Sequence, residues 1–455
     1  MMHNTTMTLG ADQNRAELAG DRTIKRPSRL WLAVLLAGTA FLAIAGDAAA
    51  QLPPGASEPT RPREPLPALP SRGGEDYEPL GIRLGSFRML PAIELGVMHN
   101  DNIFTSQTGK TSDQIYTVVP KLDVRSDWNN HALNLKALAE IGRYQKNDNN
   151  DYEDYEVGVD GRLDILRAVN VYGGLGHQRQ HEDRGSVENT SGVEPTIYRL
   201  GTANAGYFHR FNRLSARLEG RIADFDYDDT KTASGTLTNQ DRNRTEYRES
   251  LRVGYEIIQN YEAFVRGELN QREYDKTVDD SGFKRSSDGY SIVGGAKIEL
   301  SRITDFEAFA GWMQQNYDDA RFGENSGPTF GGLLNWSPAR EWQLRGYLNR
   351  TIEETTNALY TGYTSTLVGA EARYQLFPNF RLRGIVEWVR NDYEKATGNA
   401  VERTDTSIEL KADARYSLNR NFYVGPEYRY KNRESDAAGG DYSRNIVMLR
   451  LGAQY

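Results

Sequence analysis

Apolar and polar residues alternate with a period of two along most of the chain, from about Ser86 to the last residue. The clearest stretch is Asp154–Ile165. Tyr155, Val157, Val159, Leu163 and Ile165 share one face, and Asp154, Glu156, Asp160, Arg162 and Asp164 share the other. Leu214, Ala216, Leu218, Gly220 and Ile222 likewise oppose Arg213, Ser215, Arg217, Glu219 and Arg221, and Ile408, Leu410, Ala412, Ala414 and Tyr416 oppose Glu409, Lys411, Asp413 and Arg415. Successive side chains of a strand point to opposite sides, so the pattern predicts β-strands with charge gathered on one face. Eighteen segments of this kind start near residues 88, 114, 131, 153, 170, 196, 213, 245, 262, 289, 305, 328, 342, 363, 380, 404, 422 and 444. Sixteen is the competing count, because the segments near 88 and 328 alternate least clearly.

The connections alternate in length. Short ones fall at 126–130, 166–170, 209–212, 258–261, 301–304, 337–341, 377–379 and 418–421. Longer ones, rich in Asp, Asn, Ser, Thr and Gly, fall at 101–113, 145–151, 183–194, 228–243, 275–287, 318–326, 353–361, 394–403 and 432–441. Short turns at one rim and long polar loops at the other are the pattern of a transmembrane barrel, with the short turns periplasmic. A sandwich with Greek-key crossovers has no reason to alternate so regularly. Many strands carry almost no charge on one face and three or more charges on the other. A soluble sheet would have to bury that apolar face under a second layer. A barrel in lipid needs no second layer and satisfies its backbone by closing on itself. The expectation is an all-β, transmembrane, antiparallel up-and-down β-barrel spanning 86–455.

The final strand sharpens this. Val447, Leu449, Leu451 and Ala453 alternate with Met448, Arg450, Gly452 and Gln454, and the chain stops on Tyr455. Such a strand resembles the closing strand of bacterial outer-membrane barrels, which the assembly machinery reads. Leu449, Leu451 and Tyr455 are therefore the candidate assembly signal, and closure requires pairing with the first strand near Met89–Val97. Tyrosines recur at the long-loop ends of strands, as in Tyr227-Asp228, Tyr274-Asp275 and Tyr317-Asp318, and an aromatic or Val follows Asn at the short turns. Two such layers would form the interfacial girdles.

Ahead of the barrel, Lys25, Arg26 and Arg29 precede an apolar stretch from Leu30 to Ala45 and the small residues Ala48-Ala49-Ala50. This describes a secretory signal peptide over 1–50, cleaved after Ala50. Residues 51–85 form a Pro-rich periplasmic linker that holds eight of the chain's 16 prolines. The 455 residues include no Cys, which fits passage through an oxidising compartment. Beyond residue 50 no apolar run approaches the ~20 residues of a membrane helix. A net charge of -8 argues against a nucleic-acid partner.

Catalytic signatures are lacking: the sequence has no G-x-S-x-G, P-loop, H-E-x-x-H or C-x-x-C. His177 and His181 lie four apart on one strand, about 13 Å by strand geometry, too far for a shared metal. The acidic stretches at 148–151 and 224–229 lack an EF-hand pattern and read as solvated or lipopolysaccharide-facing loops. No catalytic residue, metal or cofactor is expected. The inward face is dense with charge. Candidate lumen-lining residues are Arg217, Arg221, Arg248, Arg252, Arg266, Arg345, Arg381, Arg383, Glu387 and Arg429. They make cross-strand ion pairs that stiffen the wall, or a wet lumen that passes charged or sugar-like solutes, or both. Barrels of 16–18 strands are wide enough for an aqueous channel.

The first hairpin carries a more specific signal. Leu90-Pro91-Ala92-Ile93-Glu94-Leu95-Gly96-Val97-Met98-His99-Asn100-Asp101-Asn102-Ile103-Phe104, just after the Pro-rich segment, and then Val118-Val119-Pro120-Lys121-Leu122, resemble the putative β-barrel porin 2 family of outer-membrane proteins. The resemblance covers roughly 85–455. It implies a Gram-negative, notably alphaproteobacterial, setting in which members often accompany exopolysaccharide or capsule synthesis and export. The leading expectation is a porin-like channel that serves as conduit or accessory for surface polysaccharide. Behind it come a general diffusion porin, a structural or adhesive barrel with a plugged lumen, and last a barrel enzyme. Expected partners are outer-membrane lipid and lipopolysaccharide, the barrel assembly machinery and polysaccharide export components.

Overall fold

The computed structural model describes residues 77–186, 192–301, 303–355, 357–396 and 400–455. The expected signal peptide and the linker as far as residue 76 lie outside the described residues. In chain order the strands are β1 (Ile82–Leu84), β2 (Phe87–Asn100), β3 (Asp113–Ser126), β4 (Ala132–Tyr144), β5 (Tyr152–Leu166), β6 (Val169–His181), β7 (Ile197–Phe211), β8 (Leu214–Tyr227), β9 (Thr230–Thr232) and β10 (Gly235–Leu237). They continue with β11 (Arg244–Ile258), β12 (Tyr261–Tyr274), β13 (Ser287–Ser301), β14 (Thr304–Tyr317), β15 (Asn325–Trp336), β16 (Trp342–Glu354), β17 (Tyr360–Phe377), β18 (Phe380–Lys395), β19 (Thr404–Ser417), β20 (Phe422–Ser435) and β21 (Tyr442–Gln454). β9 and β10 form a small hairpin within one long loop.

The eighteen long strands, β2–β8 and β11–β21, each pair antiparallel with the next, and β2 pairs with β21 to close the wall. This is the up-and-down barrel that alternation predicts, and the count of sixteen is excluded. Closure is displaced slightly from the expected partner: Ala92–Asn100 lies opposite Ile446–Gln454, and the Tyr455 amide donates to the Pro91 carbonyl at 3.0 Å. A short strand precedes the first long one. Ile82–Leu84 folds back on Phe87–Met89 through a turn at Gly85, whose φ of 60° suits glycine. At the short-turn rim Asn212 and Asn260 sit at φ 58° and 70°, a left-handed conformation that Asn tolerates better than most residues.

The outward face is apolar and has no protein over it: Leu95, Leu218, Val265, Ile292, Leu449 and Leu451 are all about half exposed. Exposed apolar surface on this scale is stable only against lipid. The inward face carries the charges. Three rungs recur with one design. Tyr172 on β6 lies over Gly206 on β7 and donates its hydroxyl to Glu219 on β8. Tyr347, Gly369 and Glu387 repeat this across β16–β18. Tyr423, Gly452 and Glu94 repeat it across β20, β21 and β2, the closing seam. Any side chain at these glycines would collide with the ring, so the glycine is what lets a tyrosine lie flat along the wall.

One seam differs from the others. β15 and β16 pair only over six positions, Gly331–Trp336 with Leu344–Asn349. The closing seam pairs over nine and β17–β18 over sixteen. Above Gly331, β15 continues to pair with β14 and β16 continues to pair with β17, but not with each other.

Candidate functional site

The lumen is the only place where the described strands bring many polar side chains together. In one part of it, bounded by β2–β8, β11 and β19–β21, a cavity of about 550 Å³ remains. It is lined by Glu94, Lys121, Glu156, His181, Arg248 and Glu427 among others. Its charges are sorted around the wall. On β5 the inward face carries Asp154, Glu156, Asp160 and Asp164 against Arg162 alone. Over the cavity the inward faces of β6 and β7 are uncharged, with Tyr172, Gln178, Asn204 and Thr202, and Arg210 lies only at the short-turn rim, paired with Glu256 at 3.6 Å. Beyond them β8 and β11 carry Arg217, Arg221, Arg244, Arg248 and Arg252 against Glu219, Glu246 and Glu256. On the far flank β20 and β21 carry Arg429, Lys431, Arg444 and Arg450 against Glu427. An acidic arc thus faces basic arcs across the cavity, which gives a transverse field in which both signs of charge find a wall.

Each of the expected lumen residues lies on an inward-facing register. Arg217 stacks over the Phe208 ring at 5.6 Å, and Arg221 lines the cavity. Arg248 pairs with Glu268 at 3.5 Å. Arg252 bridges Glu262 (2.8 Å) and Glu307 (3.2 Å) while its guanidinium lies 3.8 Å from the Phe264 ring centre. Arg266 covers the Phe309 ring at 4.6 Å, and Arg345 donates to Asn335 Oδ1 at 3.1 Å. Arg383 binds Glu371 at 2.8 Å, and Arg381 is its neighbour on the same face. Glu387 accepts from Tyr347 in the second rung above, and Arg429 binds Glu427 at 3.0 Å. Of these, only Arg221, Arg248 and Arg429 border the open cavity. The candidate assembly residues Leu449, Leu451 and Tyr455 face outward, each at least half exposed.

The histidines make separate contacts. His177 meets the Tyr155 hydroxyl at 3.4 Å, and His181 stacks on Tyr152 while bonding Asp154 at 2.7 Å. Among the described residues no group of three His, Cys, Asp or Glu side chains is placed to hold a metal. Over the long-loop rim, burial pushes the Asp183 carboxyl up, but Arg444 and Lys431 outweigh it and hold the group well below the usual carboxylate range. Asp319 is held low chiefly by its hydrogen bonds from Arg321.

The lumen beside β12–β18 is filled instead. The upper end of the β16–β17 hairpin parts from β15 and packs inward, while β17 stays paired with β18 as far as Tyr360 opposite Lys395. In the wall burial alternates, yet here Ile352, Glu353, Glu354 and Thr355 are buried in succession, as are all five residues from Tyr360 to Thr364. Protein therefore covers both faces. Gly362 lies against the inner side of the adjacent wall, where an added Cβ would meet the Tyr317 hydroxyl at 2.7 Å and Asn325 Nδ2 at 3.8 Å. Glu354 reaches as far as Arg272 on β12, whose Nη2 also donates to the Ile352 carbonyl at 3.0 Å. Arg285, 1% exposed, holds the tip. Its Nε donates to Asp279 at 2.8 Å, its Nη1 to the carbonyls of Thr355 and Tyr360 at 2.9 Å each, and its Nη2 to that of Asn357 at 3.2 Å. Sequence reasoning did not single out Arg285 or Glu354. The available signal was charge at Arg350 and Glu354, positions that share the register of lipid-facing Leu344 and Leu348.

Residues 75–455 match the family described as putative β-barrel porin 2. No curated protein matches the chain. Among solved structures, it is similar to OccAB3 of Acinetobacter baumannii, with 11% identity, TM-score 0.43, and 82% of this chain and 100% of that one covered. It is also similar to OpdO of Pseudomonas aeruginosa, with 12% identity, TM-score 0.41, and 81% and 97% covered. The siderophore receptor PirA from Pseudomonas aeruginosa gives 8% identity, TM-score 0.41, and 82% and 81% covered.

Proposed function

The chain belongs to the putative β-barrel porin 2 family, and from that premise we propose that this porin-like outer-membrane barrel is a channel acting as conduit or accessory for surface polysaccharide. The observation that carries the channel reading is the closed eighteen-stranded wall, apolar outside, with a charged cavity of about 550 Å³ inside it. A hydrated chain of sugars is served by such a surface. Carboxylates and amides accept its hydroxyls, and guanidinium and ammonium groups bind its acidic substituents. The polysaccharide assignment rests on the family resemblance together with that chemistry. In this reading export components are periplasmic partners, and lipid and lipopolysaccharide surround the wall.

The testing experiment is single-channel recording of the purified full chain in planar bilayers. Discrete conductance steps are expected, and their absence sinks the channel reading. Deleting the gene and measuring surface polysaccharide separates an export role from general diffusion: unchanged amounts leave a diffusion pore. We also propose that Leu449, Leu451 and Tyr455, which lie together on the outward face of the last strand, are read by the barrel assembly machinery.

A further inference from the structure

We infer, on the basis of the channel reading above, that the cavity holds an acidic sugar, and that Lys411, Arg429 and Arg450 form the site for its carboxylate. Strand register builds the site. On β19 and β20, Lys411 lies directly opposite Arg429. Like charges so placed destabilise a sheet. Glu427 is the anion that β20 itself supplies to them. Lys411 Nζ reaches its carboxylate at 3.3 Å, Arg429 Nη2 at 3.0 Å and Arg450 Nη2, from β21, at 2.6 Å. One negative charge thus serves three positive ones. The flanks do not make up the difference. Asp413, opposite Glu427, is met by Arg383 at 3.9 Å, and Glu409 by Arg429 and Lys431 at 3.9 and 3.8 Å. Five cations therefore stand with three carboxylates.

Burial decides which sign a solute meets. Lys411, Glu427, Arg429 and Arg450 all line the cavity. The Glu427 side chain is 4% exposed, whereas those of Arg429 and Arg450 are 29% and 23% exposed. The carboxylate lies beneath, and the guanidinium groups are what the cavity sees. Arg450 also has room beside it, because its partners across the two strand pairs are Gly425 on β20 and Gly96 on β2. The other wall narrows the ligand further. Glu140, Asp154 and Glu156 line the same cavity with Gln178 and Gln180. These groups accept hydroxyls, and the carboxylates among them repel additional anions. A neutral sugar leaves the cations unmet, and a multiply charged phosphate is turned away by the acidic wall. A ring with several hydroxyls and one carboxylate answers both walls, and a planar guanidinium matches a carboxylate in shape. The ligand class is therefore a uronate-type sugar.

The test titrates trigalacturonate and the neutral maltotriose into the purified full chain in detergent micelles, with calorimetric readout. Binding is read this way whether or not the barrel conducts. The acid should bind about tenfold more tightly than the neutral sugar, and its advantage should shrink as salt is raised. Lys411→Gln should weaken the acid about tenfold, the loss expected for one hydrogen bond to a charged group, and leave maltotriose unchanged. Glu427 keeps two cations in that variant, so the barrel should assemble, which heat-modifiable gel mobility checks. Glu427→Gln removes the internal rival and should tighten the acid. If that variant does not assemble, Arg450→Gln replaces it and should weaken the acid alone. Arg340→Gln, at an exposed short turn, removes the same charge and should change nothing. Equal binding of the two trisaccharides, or none, overturns the site. So does an Arg340→Gln effect as large as that of Lys411→Gln, or weaker binding of the acid by an assembled Glu427→Gln barrel. Conductance steps without acid preference would leave the channel standing and refute the site. Acid preference without conductance would uphold the site and refute the channel.

Discussion

The wall around β2–β8 and the top of the β16–β17 hairpin are built from the same alternating strands, yet they end in opposite states. Around the first, inward charges meet partners on the adjacent strand and leave a wet cavity beside them: Lys136 with Glu156 at 3.2 Å, Lys121 with Glu94 at 2.8 Å. In the second, the partners are far apart in the chain and sealed. Arg272 and Glu354 are 82 positions apart, and their side chains are 6% and 5% exposed. The same chemical pair is therefore a surface feature in one region and a structural pin in the other. What separates them is desolvation: a half-wet pair contributes little net stability, while a dry one is costly to break because the survivor is stranded.

The largest expected effect abolishes both regions together. Removing Leu449–Tyr455 takes away most of the closing strand, so no folded barrel should reach the membrane, as read by membrane-fraction yield and heat-modifiable gel mobility. An assembled barrel lacking these residues would refute the assembly role. Next is Glu354→Ala, which leaves Arg272 buried without its carboxylate. It should destabilise by about 3–5 kcal/mol, measured by urea unfolding in vesicles. It should also raise single-channel conductance, because the inward-packed top of the β16–β17 hairpin loses its anchor on Arg272. The matched change on the open side, Glu156→Gln, should shift stability by no more than about 1 kcal/mol. Its effect should appear in reversal potential, moved toward anion preference by loss of an acidic group from the cavity. Equal stability losses from the two variants would erase the distinction between the regions.

The smallest effect is pH-dependent. Asp183, in the β6–β7 loop, pairs with Arg444 at 3.0 Å and titrates below its ordinary 3.8. A depressed carboxylate stabilises the fold above its unfolded value and loses that contribution as pH falls through the folded one. Asp183→Asn should therefore destabilise by about 1 kcal/mol at neutral pH, and the difference from the unaltered protein should fade in unfolding titrations carried below that value.

The wall was legible because lipid on one side and water on the other force a period of two on every strand, and because turn length reports the rim. Asp154–Ile165 and Leu214–Ile222 read directly into β5 and β8. The inward registers of the arginines followed from the same arithmetic. Which of them border open space did not follow, because Arg252 and Arg266 are closed over by Phe264 and Phe309, rings one and two strands away whose stacking alternation does not encode. The inward fold was missed for a related reason. Its cause is a competition between β15 and the inner wall for one face of β16–β17, settled by Arg285, which comes from a loop 70 positions before Thr355. Its trace in the sequence is an ambiguity: the segment near 328, with Gly327-Pro328 and Gly331-Gly332, is one of the two that alternate least clearly, and its seam with β16 has the shortest pairing among the long strands.

The rung formed by Tyr423, Gly452 and Glu94 joins the penultimate, last and first long strands, with Glu94 329 positions from its tyrosine. A slip of one residue at closure would leave Tyr423 over Gly452 but set Ile93 or Leu95 opposite that glycine and turn Glu94 to the other side of the wall. The Tyr423 hydroxyl would then lose its acceptor, and an apolar side chain of β2 would face the lumen. The three residues thus act as a proofreading device for the final joining event: a misaligned ring of strands cannot be fastened, and the nascent barrel stays free to separate and try again.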